Sequence, residues 1–246
     1  MITSVQNEKV KQWHKLKKRK GRHKANAFLI EGIHLIEEAL TSKWKVQELI
    51  VQNGVELPSW ARETKVSIVA DHVLQSITDT KTPQGMAAVV EINKPIWKPF
   101  KKLLLIDAVQ DPGNLGTMVR TADAAGFDAV ILGTGTVDLY NDKVIRSTQG
   151  SLFHLPIFHQ SLEDVISNLI NQSFDVWVST LDEGAKEYTH LQVPDKIALV
   201  MGNEGAGISQ EIIELANQKV HIPIYGQAES LNVSVAAGVL MYYLNN

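Results

Sequence analysis

The sequence predicts an α/β protein of two domains, and two features of its apolar segments indicate this. Short apolar runs alternate with helical segments along the chain, which is the order that places helices around a sheet. In the second half these runs are continuously apolar rather than alternating, as over residues 103–106 and 197–201. Continuous apolar runs are typical of parallel strands that helices cover on both faces. The second domain is therefore predicted to hold a parallel sheet.

A proline-containing segment predicts where the two domains meet. Residues 1–92 contain four short strands with intervening helical segments, which is enough for a small α/β domain. Residues 93–100 contain Pro95 and Pro99 and little periodicity, so they are interpreted as a linker. Residues 101–246 then form the second domain.

The elements follow in order from apolar runs and the residues at their ends. A short strand and a turn are predicted at 27–32, and further strands at 46–51, 66–69 and 86–92, then at 103–106, 128–132, 155–158, 174–180, 197–201 and 220–224. Helices are predicted at 33–40, 71–77, 114–125, 144–149 and 162–171, with a last helix after residue 232. Asp71 and Asn114 are predicted to cap the helices that begin at those positions.

Composition limits the classes of function. The chain has 246 residues, 44% of them hydrophobic, and a net charge of −3, so any nucleic-acid contact must come from a local basic patch. It has no cysteine and its eight histidines are scattered, so we expect neither disulfides nor a metal site. With no signal peptide or membrane-length apolar run, we expect a cytoplasmic protein without membrane contact.

A local basic patch lies near the N-terminus, where residues 9–24 hold nine Lys or Arg residues and no acid. We predict one helix over residues 3–20, capped by Thr3 or Ser4, with an apolar face turned toward the domain. That face contains Val5, Val10, Trp13 and Leu16. A solvated charged face is the ordinary interpretation of such a run. The Trp and His side chains among the lysines favour RNA contact instead. The predicted RNA-binding residues of this run are Lys17, Lys18, Arg19 and Arg22.

Two turns late in the chain predict a binding site. The strand at 197–201 ends in Gly202-Asn203-Glu204-Gly205-Ala206-Gly207, and after the strand at 220–224 the triplet Ser230-Leu231-Asn232 opens a helix. Glycines let a ligand approach the backbone closely, and open α/β sheets bind ligands at the carboxyl ends of their strands. Either turn alone could simply cap an element, but the two together indicate a site.

Several enzyme classes lack their motifs here. The chain has neither a G-x-S-x-G elbow nor a P-loop, which argues against acyl transfer and nucleotide hydrolysis. A dinucleotide dehydrogenase is disfavoured, because the spacing of Gly202, Gly205 and Gly207 is reversed and falls late in the chain. The polar clusters that remain as candidates for chemistry are Asn114 with Arg120, Asn203 with Glu204, and Ser230 with Asn232.

Three segments carry a family resemblance. Residues 107–126 (DAVQDPGNLGTMVRTADAAG), 199–209 (LVMGNEGAGIS) and 222–238 (IPIYGQAESLNVSVAAG) resemble the signature motifs of the SpoU/TrmH family. Its members are RNA ribose 2′-O-methyltransferases of the SPOUT class. More loosely, residues 27–40 (AFLIEGIHLIEEAL) resemble the family's N-terminal RNA-binding domain, and Glu31 within them is taken as a further RNA-binding residue.

The resemblance implies several properties that the pattern of apolar and polar residues does not show. It implies a parallel sheet with a deep trefoil knot in its C-terminal part, a homodimer, and S-adenosylmethionine as methyl donor. The adenine would be held largely by backbone groups among apolar side chains. The residues implied to bind the cofactor are Leu181, Gly202, Glu204, Ile222, Leu231 and Asn232.

The resemblance also implies a catalytic set. A ribose hydroxyl needs help to lose its proton or to bear the developing negative charge. Arg120 matches the family's catalytic arginine, and its high pKa favours a donor to the developing oxyanion or to a phosphate over a base. Without the motif it would be interpreted as a surface salt bridge. The other members are Asn114, Glu204, Ser230 and Asn232, of which Asn114, Ser230 and Asn232 could equally be helix caps.

The expected function is methylation of a ribose 2′-hydroxyl in structured RNA. Ribosomal RNA is favoured over transfer RNA, because the N-terminal domain resembles ribosomal-protein-like modules. The alternative is an RNA-binding or ribosome-assembly protein that keeps the fold without catalysis, and the intact polar clusters argue against it.

Overall fold

The computed structural model describes residues 1–61, 63–80 and 83–245, whose contacts separate into two units. Unit 1 comprises Met1–Lys94 and Asp138–Phe153, and unit 2 comprises Pro95–Val137 and His154–Asn246. The predicted second domain included all of residues 101–246, so the place of Asp138–Phe153 differs from that prediction.

The helices and strands are as follows. The helices are α1 (Glu8–Leu16), α2 (Arg19–Ala25), α3 (Ile33–Thr41), α4 (Asp71–Ile77), α5 (Pro112–Ala124), α6 (Asp142–Thr148), α7 (Leu162–Asn171), α8 (Gln210–Leu215) and α9 (Val233–Tyr243). The strands are β1 (Ala27–Glu31), β2 (Val46–Gln52), β3 (Val66–Val69), β4 (Met86–Glu91), β5 (Lys102–Ile106), β6 (Ala129–Leu132), β7 (Ile157–His159), β8 (Asp175–Ser179), β9 (Lys186–Glu187), β10 (Ile197–Met201) and β11 (Gln218–His221).

Unit 1 is built on a four-stranded sheet in the order β1-β4-β2-β3. Strand β4 runs antiparallel to β1 and β2, while β2 and β3 are parallel. Val10, Trp13 and Leu16 of α1 are buried in a core shared with α4 and the sheet. These three positions confirm the predicted apolar face of the basic segment, whereas Val5 is exposed.

The single helix predicted over residues 3–20 is wrong, because the chain forms α1 and α2 in its place. Asn7 caps α1 by accepting a 2.9 Å hydrogen bond from the backbone N–H of Lys9. The Arg22 guanidinium donates to the carbonyl oxygens of Leu16 and Lys17, both at 3.0 Å. The last carbonyls of a helix lack partners within it, so the Arg22 side chain, five and six residues further along the chain, stabilises this break.

The segment Asp138–Phe153 completes the core of unit 1. The ring of Tyr140 lies 4.5 Å from that of Phe28, and the indole N–H of Trp44 donates to the Phe153 carbonyl at 3.1 Å. Burial, together with the charge of Asp138, raises the pKa of Tyr140 to about 12. Aromatic pairs of this kind contribute beyond the area that they bury.

Unit 2 contains a seven-stranded sheet in the order β7-β6-β5-β10-β8-β11-β9, and all its strand pairs are parallel. The apolar residues of the central strands β5 and β10 are buried. The prediction of a parallel sheet with continuously apolar strands is confirmed. In the part of the chain that the structure describes, no helix combines the length and apolarity needed to cross a membrane.

Two predicted helix caps are wrong by a few residues. Ala70 precedes α4, so Asp71 is its first helical residue rather than its cap. Asp111 caps α5, and its carboxylate accepts from the backbone N–H of Asn114 at 2.9 Å. Pro112 occupies the first turn, where its missing N–H costs no helical hydrogen bond. Asn114 is therefore free of the capping role.

Replacing Tyr140 with Ala should destabilise unit 1. The variant removes the ring that packs on Phe28. Losing a fully buried aromatic side chain costs about 3–5 kcal/mol, and the partly buried Tyr140 should cost less than the upper end of that range. Hydrogen exchange should show faster exchange in β1 and β4 while β5 and β10 keep their protection. Tyr225, which is almost fully exposed, provides the matched control, and Tyr225→Ala should leave all four strands unchanged. Unchanged protection in β1 of Tyr140→Ala would contradict this account of the segment.

Candidate functional site

A cavity opens in unit 2 where β8, β10 and β11 end. Its volume is about 570 Å³, and its walls come from residues that follow these strands. Because the strands are parallel, their carboxyl ends meet at one edge of the sheet, where such folds bind ligands. The cavity is lined by Ser179, Thr180, Leu181, Met201, Gly202, Asn203, Glu204, Gly205, Ala206, Gly207, Ile208, His221, Ile222, Ile224, Ser230, Leu231, Asn232, Val233 and Ala236. This set contains all six residues predicted to bind the cofactor.

The turn after β10 needs glycine at position 202. A Cβ on Gly202 would lie 2.4 Å from the carbonyl carbon of Gly207 and 2.6 Å from Cγ1 of Ile208. Asn203 and Gly207 exchange two backbone hydrogen bonds, of 2.8 and 3.0 Å, which close the turn. The backbone therefore folds tightly at the cavity wall, where side chains would otherwise fill the space.

Asn203 holds this turn in place. This structural role was not predicted from the sequence, where Asn203 was a candidate for chemistry together with Glu204. Its Oδ1 accepts from the backbone N–H groups of Gly205 and Ala206, both at 2.9 Å. Its Nδ2 donates to the carbonyl of Ala108 at 2.8 Å. The Asn followed by glycines was the available signal, since Asn side chains often hydrogen-bond the backbone two residues ahead.

A chain of hydrogen bonds links three of the predicted catalytic residues. Asn232 donates through Nδ2 to Oδ1 of Asn114 at 3.0 Å, and Asn114 donates through Nδ2 to Oε1 of Glu204 at 3.0 Å. Asn232 also caps α9, since its Oδ1 accepts from the backbone N–H of Ser234 at 2.9 Å. Asn232 is therefore both a helix cap and a residue of the cavity wall that contacts Asn114.

The carboxylate of Glu204 is held in its charged form. Partial burial alone would raise its pKa, but hydrogen bonds from Asn114 and from the backbone N–H groups of Asp111 (3.0 Å) and Gln110 (3.2 Å) hold that pKa below the usual glutamate value. These bonds also tie the turn after β10 to the turn after β5. Glu204 thus acts as a charged anchor for the first turn of α5.

Arg120 lies apart from this network within one chain. It is exposed on α5 and is not among the residues that line the cavity. Arg120 is six positions after Asn114 in α5, so the two residues are about 9 Å apart along the helix axis and lie on different faces. Within the described ranges 1–61, 63–80 and 83–245, no carboxylate forms an ion pair with Arg120, so the surface salt bridge considered from the sequence is not formed.

Ser230 lies in the cavity wall but does not cap α9, because Asn232 fills that position. Its hydroxyl is therefore available to a ligand in the cavity.

The predicted RNA-binding residues of unit 1 differ in exposure. Lys17, Lys18 and Arg19 are exposed, although Lys17 pairs with Asp79 at 2.7 Å and Arg19 with Asp138 at 3.4 Å. Glu31 is partly buried and accepts a hydrogen bond from the Thr80 hydroxyl. Arg22 differs from the expectation: only 7% of it is exposed, and its guanidinium is engaged by the α1 carbonyls and by Asp138 at 3.2 Å.

The cavity fits the cofactor that the sequence motifs imply. Leu181 and Leu231 line it yet are 64% and 38% exposed, which suits contact with a flat uncharged ring. The tight turn at Gly202 brings no side chain into the cavity wall at that position. Across the described residues, no cluster of three or more His, Cys, Asp or Glu is placed to hold a metal ion.

Comparisons with known proteins agree with this geometry. Residues 101–242 match the SpoU rRNA Methylase family, and residues 7–88 match the MRM3-like substrate binding domain. The chain is 46% identical over 99% of its length to a Bacillus subtilis protein, of which it covers 98%. That protein is named 23S rRNA (guanosine(2553)-2′-O)-methyltransferase RlmP. The chain described here is also 30% identical, over 98% of its length, to the 23S rRNA (uridine(2479)-2′-O)-methyltransferase of Streptomyces viridochromogenes. It covers 90% of that protein.

Solved structures give the same result. The crystal structure of an AdoMet-bound rRNA methyltransferase from Sinorhizobium meliloti superposes with a TM-score of 0.88 at 32% identity, covering 98% of this chain and 95% of that one. The parallel sheet, its cavity and these matches define an RNA ribose 2′-O-methyltransferase that uses S-adenosylmethionine. The chain belongs to the SpoU rRNA methylase family.

Replacing Gly202 with Ala should weaken cofactor binding. The added Cβ would overlap the Gly207 backbone, so the turn that lines the cavity must shift. Overpacking of this kind costs about 1–3 kcal/mol, and where that cost falls on the bound state Kd rises by about 5- to 160-fold. Calorimetry with S-adenosylmethionine measures the change. Gly205→Ala is the matched control, because the nearest atom to its Cβ is 3.8 Å away. Equal affinities in the two variants would contradict the role given to Gly202.

The charged anchor at Glu204 should persist to mildly acidic pH. Its folded-state pKa is depressed, so its stabilising effect is full above the unfolded value and is lost as pH falls through the folded pKa. The backbone N–H signals of Gln110 and Asp111, followed by NMR, should titrate with a midpoint below the pKa of an ordinary glutamate. This titration should vanish in Glu204→Gln. A midpoint at or above the ordinary value would contradict the network.

Proposed function

We propose that the protein methylates the ribose 2′-hydroxyl of a guanosine in 23S ribosomal RNA. The observation that carries this proposal is the cavity at the strand ends with the Glu204–Asn114–Asn232 network beside it. The choice of RNA is supported by the Bacillus subtilis relative, whose similarity extends over nearly the full chain and so includes unit 1. We include a cytoplasmic location in the proposal, because the RNA substrate is inside the cell.

The cavity residues hold the donor and align it with the acceptor. S-adenosylmethionine supplies a methyl group on a sulfonium, ready for in-line transfer to a nucleophilic oxygen. Leu181, Ile222 and Leu231 provide an apolar surface for its adenine, while the Gly202 turn offers backbone groups. Holding the reacting atoms in line accounts for a large part of the acceleration expected of such a site.

The asparagine network positions the ribose. Because Glu204 and Asn232 fix both ends of the Asn114 amide, its remaining N–H and lone pair point in defined directions. Asn114 is thereby suited to orient the 2′-hydroxyl or its neighbouring oxygen. Ser230 adds a hydroxyl from the cavity wall and forms a second contact with ribose or cofactor.

Arg120 acts, in this proposal, on the cavity of a partner subunit. Its own cavity does not include it, but α5 packs against α9, and α9 exposes an apolar stripe of Val235, Val239 and Tyr242. These residues are spaced by four and three positions, so they lie on one helix face that a second copy of the chain would cover. The resulting homodimer brings Arg120 of one protomer to the ribose bound by the other.

Arg120 then stabilises charge rather than removing a proton. A guanidinium with a pKa of about 12.5 or higher is a poor base near neutral pH, but it donates well to a developing oxyanion or a flanking phosphate. Its lack of an ion pair in the described part of the chain leaves these donors available.

The remaining expectations belong to the same proposal. Unit 1 binds RNA through Lys18, Arg19, Lys17 and Glu31, and the buried Arg22 supports that surface from within. We propose the deep trefoil knot as well, supported by the position of β10 between β5 and β8 and by the return of α9 onto α5 after β11.

Replacing Arg120 with Ala should abolish most methyl transfer while cofactor binding survives. Loss of one donor to a developing oxyanion lowers kcat by about 10²–10³-fold. Transfer from labelled S-adenosylmethionine to 23S ribosomal RNA and to transfer RNA measures the activity, and calorimetry measures binding. Thr117→Ala, on the same exposed face of α5, is the control. Full activity in Arg120→Ala would contradict the role proposed for Arg120. Methylation of transfer RNA but not of 23S ribosomal RNA would contradict the proposed substrate.

Co-expression of two inactive variants tests the action of Arg120 across subunits. Arg120→Ala and Asn114→Ala are each expected to be inactive, but a mixed dimer has one cavity with both side chains intact. Random pairing then restores activity in about a quarter of the sites. No recovery in verified mixed dimers would show that Arg120 acts within its own chain.

A further inference from the structure

We infer that unit 1 holds a subsite for one unstacked nucleotide of the RNA substrate, an inference that rests on the proposed function. A second cavity, of about 550 Å³, lies against the end of the four-stranded sheet where β1 and β2 begin. Helices α1 and α2 form its other wall. The cavity is lined by Gln12, Trp13, Lys15, Leu16, Gly21, Lys24, Ala25, Ala27, Gln47, Glu48, Lys65 and Val89.

The floor of this cavity is apolar. Trp13, Leu16, Ala27 and Val89 all line it, and each is buried, so apolar side chains close its inner end. An apolar floor of this kind favours a flat ring over a hydrated ion. It distinguishes the cavity from an ordinary cluster of surface lysines.

The rim carries a positive charge. Lys15 and Lys24 have no carboxylate within ion-pair distance among the described residues. Among the described residues of the lining, Glu48 is the one with an acidic side chain, and it already accepts from Lys9 at 2.7 Å and from Ser67 at 2.8 Å. Lys65 lies 3.6 Å from the same carboxylate, so the lining and Lys9 together hold more positive than negative charge.

These two features select a nucleotide. Phosphates bind the lysines at the rim, and a base lies on the apolar floor with amide groups of Gln12 and Gln47 near its edges. Specific recognition of RNA usually takes bases that have left the helical stack. The volume accommodates one nucleotide but not a duplex.

The cavity lies at the opposite end of β1 from Glu31, and it adds Lys15 and Lys24 of the basic segment to the RNA-binding residues predicted from the sequence. Ala27 lies at the beginning of β1 and Glu31 at its end, about 13 Å apart along an extended strand. Unit 1 thus holds the RNA at two ends of the same sheet. The second contact would fix the register of the RNA on this unit, which a single basic surface does not do.

Three variants of the full chain test the subsite. Lys24→Glu removes a rim cation, Ala25→Phe fills the cavity without changing charge, and Lys20→Glu is the matched control on the same helix outside the lining. Lys24→Glu and Ala25→Phe should raise KM for 23S ribosomal RNA about tenfold with kcat and S-adenosylmethionine affinity unchanged. Lys20→Glu should change KM less than twofold. In Lys24→Glu, the slope of the logarithm of the RNA-binding constant against the logarithm of salt concentration should decrease in magnitude by about 0.7, because one phosphate contact is lost.

A direct binding measurement completes the test. Titration with guanosine 5′-monophosphate, followed by NMR, should give saturable shifts at the backbone N–H groups of Gly21, Ala25 and Gln47, and Ala25→Phe should abolish them. Absence of these shifts, or equal KM values for Lys24→Glu and Lys20→Glu, overturns the subsite. Both results leave the proposed function intact as long as the wild-type protein methylates 23S ribosomal RNA. A wild-type protein that binds the nucleotide but methylates no RNA would overturn the proposed function and keep the cavity.

Discussion

The site depends on the parallel pairing of β5 with β10 at the centre of the larger sheet. This pairing aligns Ile106 with Met201, so the turns that follow both strands begin side by side. Glu204 then joins the two turns, because its carboxylate accepts from the backbone beyond β5 and from Asn114. Methyl transfer needs donor and acceptor held in line, and a carboxylate bonded to three N–H groups gives the required rigidity.

The same side chains stabilise the fold and form the site. Asn232 caps α9 while it orients Asn114, and Asn203 closes the turn after β10 while its neighbours line the cavity. Replacing any of these residues therefore changes local stability together with activity, so variants with unchanged polarity or matched controls are the informative ones. In unit 1, Arg22 is likewise used to join α1 to α2 rather than being left for RNA.

Much of the fold could be predicted from the order and type of the apolar runs. The strands of the parallel sheet and the helix α7 follow local patterns that carry their own signal. The cap at Asp111 was missed because Asn114, three residues later, is an equally favourable capping residue. The helix beginnings at Ala70 and at Lys18 were missed because neither side chain forms a capping hydrogen bond that the sequence could indicate. In the site, the glycine turns could be predicted, whereas the bracing role of Asn203 depends on Ala108, which is distant in sequence.

By itself the sequence determined the fold class, the two glycine-rich or polar turns at strand ends, and the motifs that identify the family. These are properties of short segments, so local chemistry is sufficient to predict them. Only the tertiary structure decided that Asp138–Phe153 packs within unit 1, that Arg22 is buried, and that Arg120 lies outside the cavity of its own chain. Each of these outcomes depends on contacts between residues far apart in sequence, and the local pattern around a residue does not specify them.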